Sequence, residues 1–97
     1  MKIDKGAAEF EWDEGNIGKN KKHDVEDKEA EEAFFDEGKV IYKDHLHSQV
    51  EERFIILGKT RKDRLLYVVL TKRANKIRII SARDINKKER YIYEKAA

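Results

Sequence analysis

Three kinds of side chain in this sequence can move protons or hold anions: His23, the carboxylates Glu51 and Glu52, and the arginines Arg53, Arg78 and Arg83. His23 closes a Lys21-Lys22-His23 run. Cations beside an imidazole disfavour its charged form, which keeps it able to accept a proton. The plainer reading of Lys22 and His23 is solvated surface. Glu51 and Arg53 are two apart, so a strand would present them on one face with Ile55 and Leu57, and Glu52 on the other with Phe54 and Ile56. Arg78 and Arg83 differ by an odd number, so a regular strand would point them oppositely. They converge only if the backbone leaves strand geometry near Ser81–Arg83, as the start of a helix there would allow. An arginine at a strand end beside a helix N-terminus makes a phosphate-binding corner. The bland alternative pairs it with Glu51, Glu52 or Glu89. His45 and His47 would share one side of an extended chain, but no third ligand stands at recognisable spacing for a metal. A phosphate-cradling Gly-rich loop and a nucleophile elbow are both missing.

Composition narrows what these groups can do. The 97 residues suit one domain, 1–97, with room for a shallow surface site rather than a deep cavity. With no cysteine, there is no disulfide framework, thiol nucleophile or cysteine-zinc site. Charged residues make up 43% of the chain, yet the formal net charge is only +2. The halves differ: residues 1–48 hold 8 lysines against 14 acids, giving −6, whereas residues 49–97 hold 14 basic against 6 acidic groups, giving +8. Every arginine lies in the second half, where bidentate contact with phosphate or carboxylate is favoured. The N-terminal MKIDKGAAEF lacks the apolar core of a signal peptide, and nothing approaches the roughly 20 apolar residues of a membrane span. The expectation is a soluble, cytoplasmic protein.

The elements that must position these residues centre on Glu51–Arg83. Three short apolar runs, Phe54–Leu57, Leu65–Leu70 and Ile77–Ile80, are rich in β-branched or aromatic residues and separated by polar turn segments. They predict a three-stranded antiparallel meander. Residues 1–8 carry too little apolar material to fix themselves and are expected to fray. Glu9–Asp13 alternates, placing Phe10 and Trp12 on one face of a further strand. Glu14–His23 reads as one or two helical turns anchored by Ile17. Val25–Phe35, capped by Asp24, carries the Ala30, Ala33, Phe34 stripe of a helix. Lys39–Tyr42 reads as a short strand. Asn86 and Glu89 have the form of a capping box for a last helix, docked by Ile85, Ile92 and one of Tyr91 or Tyr93. The predicted class is α+β: an antiparallel sheet of four or more strands flanked by helices.

Four segments, FEWDEGNIGKNKKHDV, EERFIILGKT, DRLLYVVLTKR and IRIISARDINKKERYIYE, occur in the order found in the BrnT toxins of bacterial type II toxin–antitoxin pairs, and the chain resembles that family over most of its length. The resemblance implies a compact RelE-like fold. It further implies a ribonuclease that inhibits translation and is neutralised by a DNA-binding antitoxin of the BrnA type, through which DNA is mainly contacted. Lys22, His23, Glu51, Glu52, Arg53, Arg78, Arg83, Glu89, Arg90 and Tyr91 match polar positions of the family pattern. Asn16, Asp24 and Asp27 depart from it, standing where lysine, glycine and an aromatic are usual.

RNA cleavage through the ribose 2′-hydroxyl needs a base, cations for the developing charge, and an acid for the leaving oxygen. It requires neither metal nor cofactor. His23, Glu51 or Glu52 is the base candidate, Arg53, Arg78 and Arg83 the phosphate holders, Lys22 an added charge, and His47 or Tyr91 a weaker acid candidate. Arg64, Arg90 and Tyr91 complete the expected substrate contacts. The competing reading is a non-catalytic module that binds nucleic acid or an acidic protein segment, including a degenerate toxin that keeps only antitoxin binding.

Overall fold

The structure, a computed structural model, describes residues 9–96; the expectation for residues 1–8 falls outside that range. Five strands, β1 (Glu9–Phe10), β2 (Val40–Lys43), β3 (Arg53–Lys59), β4 (Leu65–Arg73) and β5 (Lys76–Asp84), form one sheet in the order β1-β5-β4-β3-β2. The predicted runs are the cores of β3, β4 and β5, which pair antiparallel as a meander. The sheet is not antiparallel throughout. The two residues of β1 run parallel to β5, with Phe10 opposite Ile77, so the sheet is mixed.

β3 and β4 are apolar on both sides because the sheet has a helix on each face. Phe54, Ile56, Leu66, Val68, Leu70, Ile77 and Ile79 meet Val25, Ala30, Ala33 and Phe34, the last three from helix α1 (Asp27–Phe34). On the other side, Ile55, Leu57, Leu65 and Val69 meet Tyr93 of helix α2 (Lys87–Ala96). Gly58 lets α1 lie close to β3, since a Cβ there would sit 2.2 Å from the Ala33 carbonyl oxygen.

Helix starts explain two differences from expectation. Asp24 does not cap α1: it sits at φ 57° at the end of a 3-10 helix, Lys19–His23. The cap is Glu26, whose backbone N–H donates to Glu29 Oε1 at 3.0 Å. For α2 the expected box forms in both directions, with Glu89 N–H to Asn86 Oδ1 at 2.8 Å and Asn86 N–H to Glu89 Oε1 at 2.9 Å.

Segment 14–23 is held by asparagine rather than by Ile17, which is 58% exposed. β1 covers only the first residues of β5's outer edge, leaving later ladder groups bare. Asn16 Nδ2 donates to the Ile79 carbonyl at 3.0 Å, and Asn20 Oδ1 accepts the Ala82 N–H at 2.9 Å. Both side chains are buried. Two amides thus do for this edge what a longer strand would have done.

Candidate functional site

Position on the sheet decides which predicted residues can cooperate. Helix α2 leans on β2 and β3, so the α2 side of β4 and β5 is only half covered. Arg78 and Arg83 both reach that side, and a β-bulge is the reason. Val69 pairs with Ser81 and Leu70 with Ile79, so Ile80 is an extra residue that shifts side-chain parity. A helix start was the expected device; the bulge lies within the strand instead. Arg78 pairs across from Thr71 and Arg83 from Tyr67, four residues apart on unbulged β4, about 13 Å at strand rise.

Arg83 lies 3.9 Å over the Tyr67 ring and makes a two-point pair with Glu89, both contacts at 2.9 Å. One further N–H goes to the Asp84 carbonyl at 3.0 Å, leaving Nε and one Nη2 hydrogen for another acceptor. Burial would push the Glu89 carboxyl up, but the Arg83 guanidinium and the Asn86 amide outweigh it and hold the group below its usual value. Tyr42, Tyr67, Asn86, Lys88, Glu89 and Ile92 line an open hollow of about 430 Å³ beside this pair. Burial raises the Tyr42 and Tyr67 hydroxyls above the ordinary phenol value, so both remain hydrogen-bond donors at neutral pH.

At the other end of the strands, charges alternate. Arg78 donates to Asp13 at 2.8 and 3.0 Å and to Glu11 at 2.9 Å, while Arg73 bridges Glu11 at 3.3 Å and Glu51 at 3.2 Å. Hydrogen bonding to Asp13 is the main cause raising the Arg78 guanidinium, and the same bond lowers the Asp13 carboxyl. Arg53 is on the same face as Arg78, across Thr71. Its Nε is buried without a hydrogen-bond partner among the described residues. Glu52 lies toward the opposite side, 3.5 Å from Lys43.

The remaining candidates stand apart. Lys22 and His23 are exposed at the end of the 3-10 helix. Arg64 fixes that end: it donates to the His23 and Asp24 carbonyls, to Glu29 and to Asp84. Those contacts engage all the N–H groups of a guanidinium, so Arg64 is a strut between α1, β5 and the 3-10 helix. Arg90 is exposed, with no side-chain partner among the described residues. Tyr91 is exposed and accepts from Lys95 Nζ at 3.1 Å. His45 and His47 sit on a 3-10 turn rather than an extended chain, and no group of three or more potential metal ligands occurs among the described residues.

Sequence reasoning missed Tyr42 and Tyr67. Their signal was an aromatic hydroxyl inside an otherwise aliphatic strand, as in Leu65-Leu66-Tyr67-Val68-Val69. A family model described as "Ribonuclease toxin, BrnT, of type II toxin-antitoxin system" matches residues 12–89, a span that takes in β2–β5 and the Arg83–Glu89 pair. No curated protein matches the sequence.

Proposed function

We propose, from the premise that this chain belongs to the BrnT family of ribonuclease toxins of type II toxin–antitoxin systems, that it cuts RNA on the half-covered face without a metal ion. In this reading the fold is a RelE-like variant. Cleavage stops translation in the cytoplasm, and a DNA-binding antitoxin of the BrnA type blocks the toxin and supplies most contact with DNA.

The observation that carries the reading is Arg83, stacked on Tyr67 and braced by Glu89, with two N–H donors that meet no acceptor among the described residues. Stacking and bracing fix the guanidinium before substrate arrives, so little ordering is left to be done on binding. The open face offers an RNA strand aromatic rings for its bases and arginines for its phosphates. Arg53 offsets charge as the phosphorane forms, while Arg78 and Arg83, about 13 Å apart at strand rise, hold neighbouring phosphates of the backbone. Of the base candidates Glu51 suits this face, since Glu52 lies toward the opposite side and His23, with Lys22, stands apart at the end of the 3-10 helix. Arg90 and Tyr91, exposed on α2, extend the contact with substrate.

Purified protein incubated with RNA, with and without EDTA, tests this directly. Cleavage unchanged by EDTA is expected. Cleavage abolished by EDTA removes the metal-free mechanism, and tight binding without cleavage favours the non-catalytic module.

A further inference from the structure

Beside the open face, loop 44–53 folds into a knot whose hydrogen bonds bring a histidine and an arginine to one cleft. Asp44 N–H donates to the Arg53 carbonyl at 2.8 Å, the Ser48 hydroxyl donates to the Asp44 carbonyl at 2.6 Å, and Arg53 N–H donates to Ser48 Oγ at 3.0 Å. Within the knot, His47 Nδ1 meets Asp44 Oδ2 at 2.9 Å. Asp44 is nearly buried, with side-chain exposure of 13%, whereas His47 is 63% exposed. A shielded carboxylate on Nδ1 orients the ring and leaves Nε2 unengaged. His47, Glu51 and Arg53 then line a single cleft of about 360 Å³.

Arg53 shows that the cleft lacks something. Its side chain lines the cleft with no hydrogen-bond partner among the described residues, so the terminal N–H groups of the guanidinium remain for an anion there, while its Nε is buried. Glu51 stands nearby, its carboxylate steadied by Arg73.

We infer that His47 is the general acid of RNA cleavage, with the scissile phosphate on Arg53 and Glu51 as the base. The inference rests on the ribonuclease reading and names the groups that would serve it. The ribose 2′-oxygen attacks phosphorus as its proton passes to the Glu51 carboxylate. The bond from phosphorus to the 5′-oxygen breaks with its electron pair going to oxygen, which takes the proton from His47 Nε2. The products are a 2′,3′-cyclic phosphate and a 5′-hydroxyl. Asp44 and Ser48 are positioning residues, since they act only through His47 and Arg53.

A general acid can be told from a residue needed for any other reason by changing the leaving group. Sulfur in place of the bridging 5′-oxygen leaves as a thiolate and needs no proton. His47→Ala should slow cleavage of ordinary RNA about a hundredfold or more. It should cut the 5′-thio substrate within a few fold of the wild-type rate. Asp44→Asn should show the same selectivity with a smaller loss. His45→Ala, also on the turn but without a hydrogen-bond partner among the described residues, should match wild type on both substrates. An equal loss on both substrates, or no loss on either, overturns the assignment of His47. Wild-type protein that cuts neither substrate overturns the ribonuclease reading itself, and the inference with it.

Discussion

The two faces of the sheet are built from the same three strands yet follow different rules. Toward α1 the central strand positions are apolar and sealed: Phe54, Ile56, Leu66, Val68, Leu70, Ile77 and Ile79 all lie under 6% exposed. Full burial of such a side chain contributes about 1.5–3 kcal/mol. Toward α2 the apolar set is shorter, and beyond it come Tyr42, Tyr67, Arg53, Arg78 and Arg83. One face holds the molecule together. The other gives up burial in exchange for groups that water, RNA or a partner can reach. The comparison teaches that position across the sheet, more than position along the chain, separates structural residues from candidate functional ones.

The contrast predicts opposite consequences for substitutions on the two faces. Phe34 is fully buried and packs edge-on to Phe10 and Phe35 at ring separations of 5.3 and 5.2 Å. Phe34→Ala should cost about 4 kcal/mol of unfolding free energy. Gly58→Ala should cost about 3 kcal/mol, because the added methyl meets backbone rather than a side chain that can swing away. Urea unfolding measures both losses. The cleavage rate per folded molecule should barely change, and a variant that stayed stable while losing activity would break the division.

On the other face, activity should fall with little loss of stability, and the two arginines should differ. Arg83→Ala is expected to lower the cleavage rate about a hundredfold, close to 3 kcal/mol in barrier, by misplacing the strand it holds rather than by touching the scissile phosphate. Arg83 is 39% exposed at its side chain but its partner Glu89 only 11%, so stability should drop by about 1 to 2 kcal/mol, well below the losses in the core. Lysine should rescue poorly, since an ammonium reproduces neither the stack on Tyr67 nor the two-point pair. Arg78 is committed to Asp13 and Glu11 at the edge of the sheet, so Arg78→Ala should lower the rate only about tenfold. Rate and melting temperature measured on the same variants decide the matter. Equal hundredfold losses would show that both arginines are needed to hold the strand in register for cleavage.

How much of this was legible beforehand depends on how local each cause is. Strands β3–β5 were legible because apolar runs of strand length show wherever both faces are covered, and α2's start because Asn86 and Glu89 are three residues apart. The parallel pairing of β1 was not: its partner, Ile77, lies far along the chain, and two residues carry no directional signal. Nor was the bulge, since Ile80 reads as one more strand residue until Val69 and Leu70 show that a count is missing. Ile17 lost the anchoring role to Asn16 and Asn20 because the need there was for hydrogen bonds along a bare strand edge. For the site, residue types were visible but partners were not. Which carboxylate holds Arg64, Arg73 or Arg78 is set by how distant segments pack.

The boundary between the faces can be tested at a single hydroxyl. Tyr93, on the underside of α2, donates to Asp36 Oδ2 at 2.6 Å, and Asp36, just past α1, also accepts the Gly38 and Lys59 N–H groups. The two helical layers are therefore fastened together around the end of β3. Burial raises the Asp36 carboxyl, but the Tyr93 hydroxyl and the two amides outweigh it, so its net shift is downward. A lowered carboxyl stabilises the fold above its unfolded value near 4, and that contribution disappears as pH falls through the folded value. Tyr93 runs the other way. Burial, with Asp36 adding to it, pushes the hydroxyl up to about 12. Its contribution is complete below about pH 10 and is lost as pH rises toward the folded value. Tyr93→Phe should cost about 2 kcal/mol at neutral pH, as expected for a hydrogen bond to a charged group. It should also flatten the alkaline decline and make the acid decline shallower without removing it, because Gly38 and Lys59 still hold Asp36. Unfolding followed from pH 3 to 11 reads all three effects. A phenylalanine variant with the wild-type pH profile would show that the layers are fastened elsewhere, and that α2 leaves the open face half covered for a reason other than this latch.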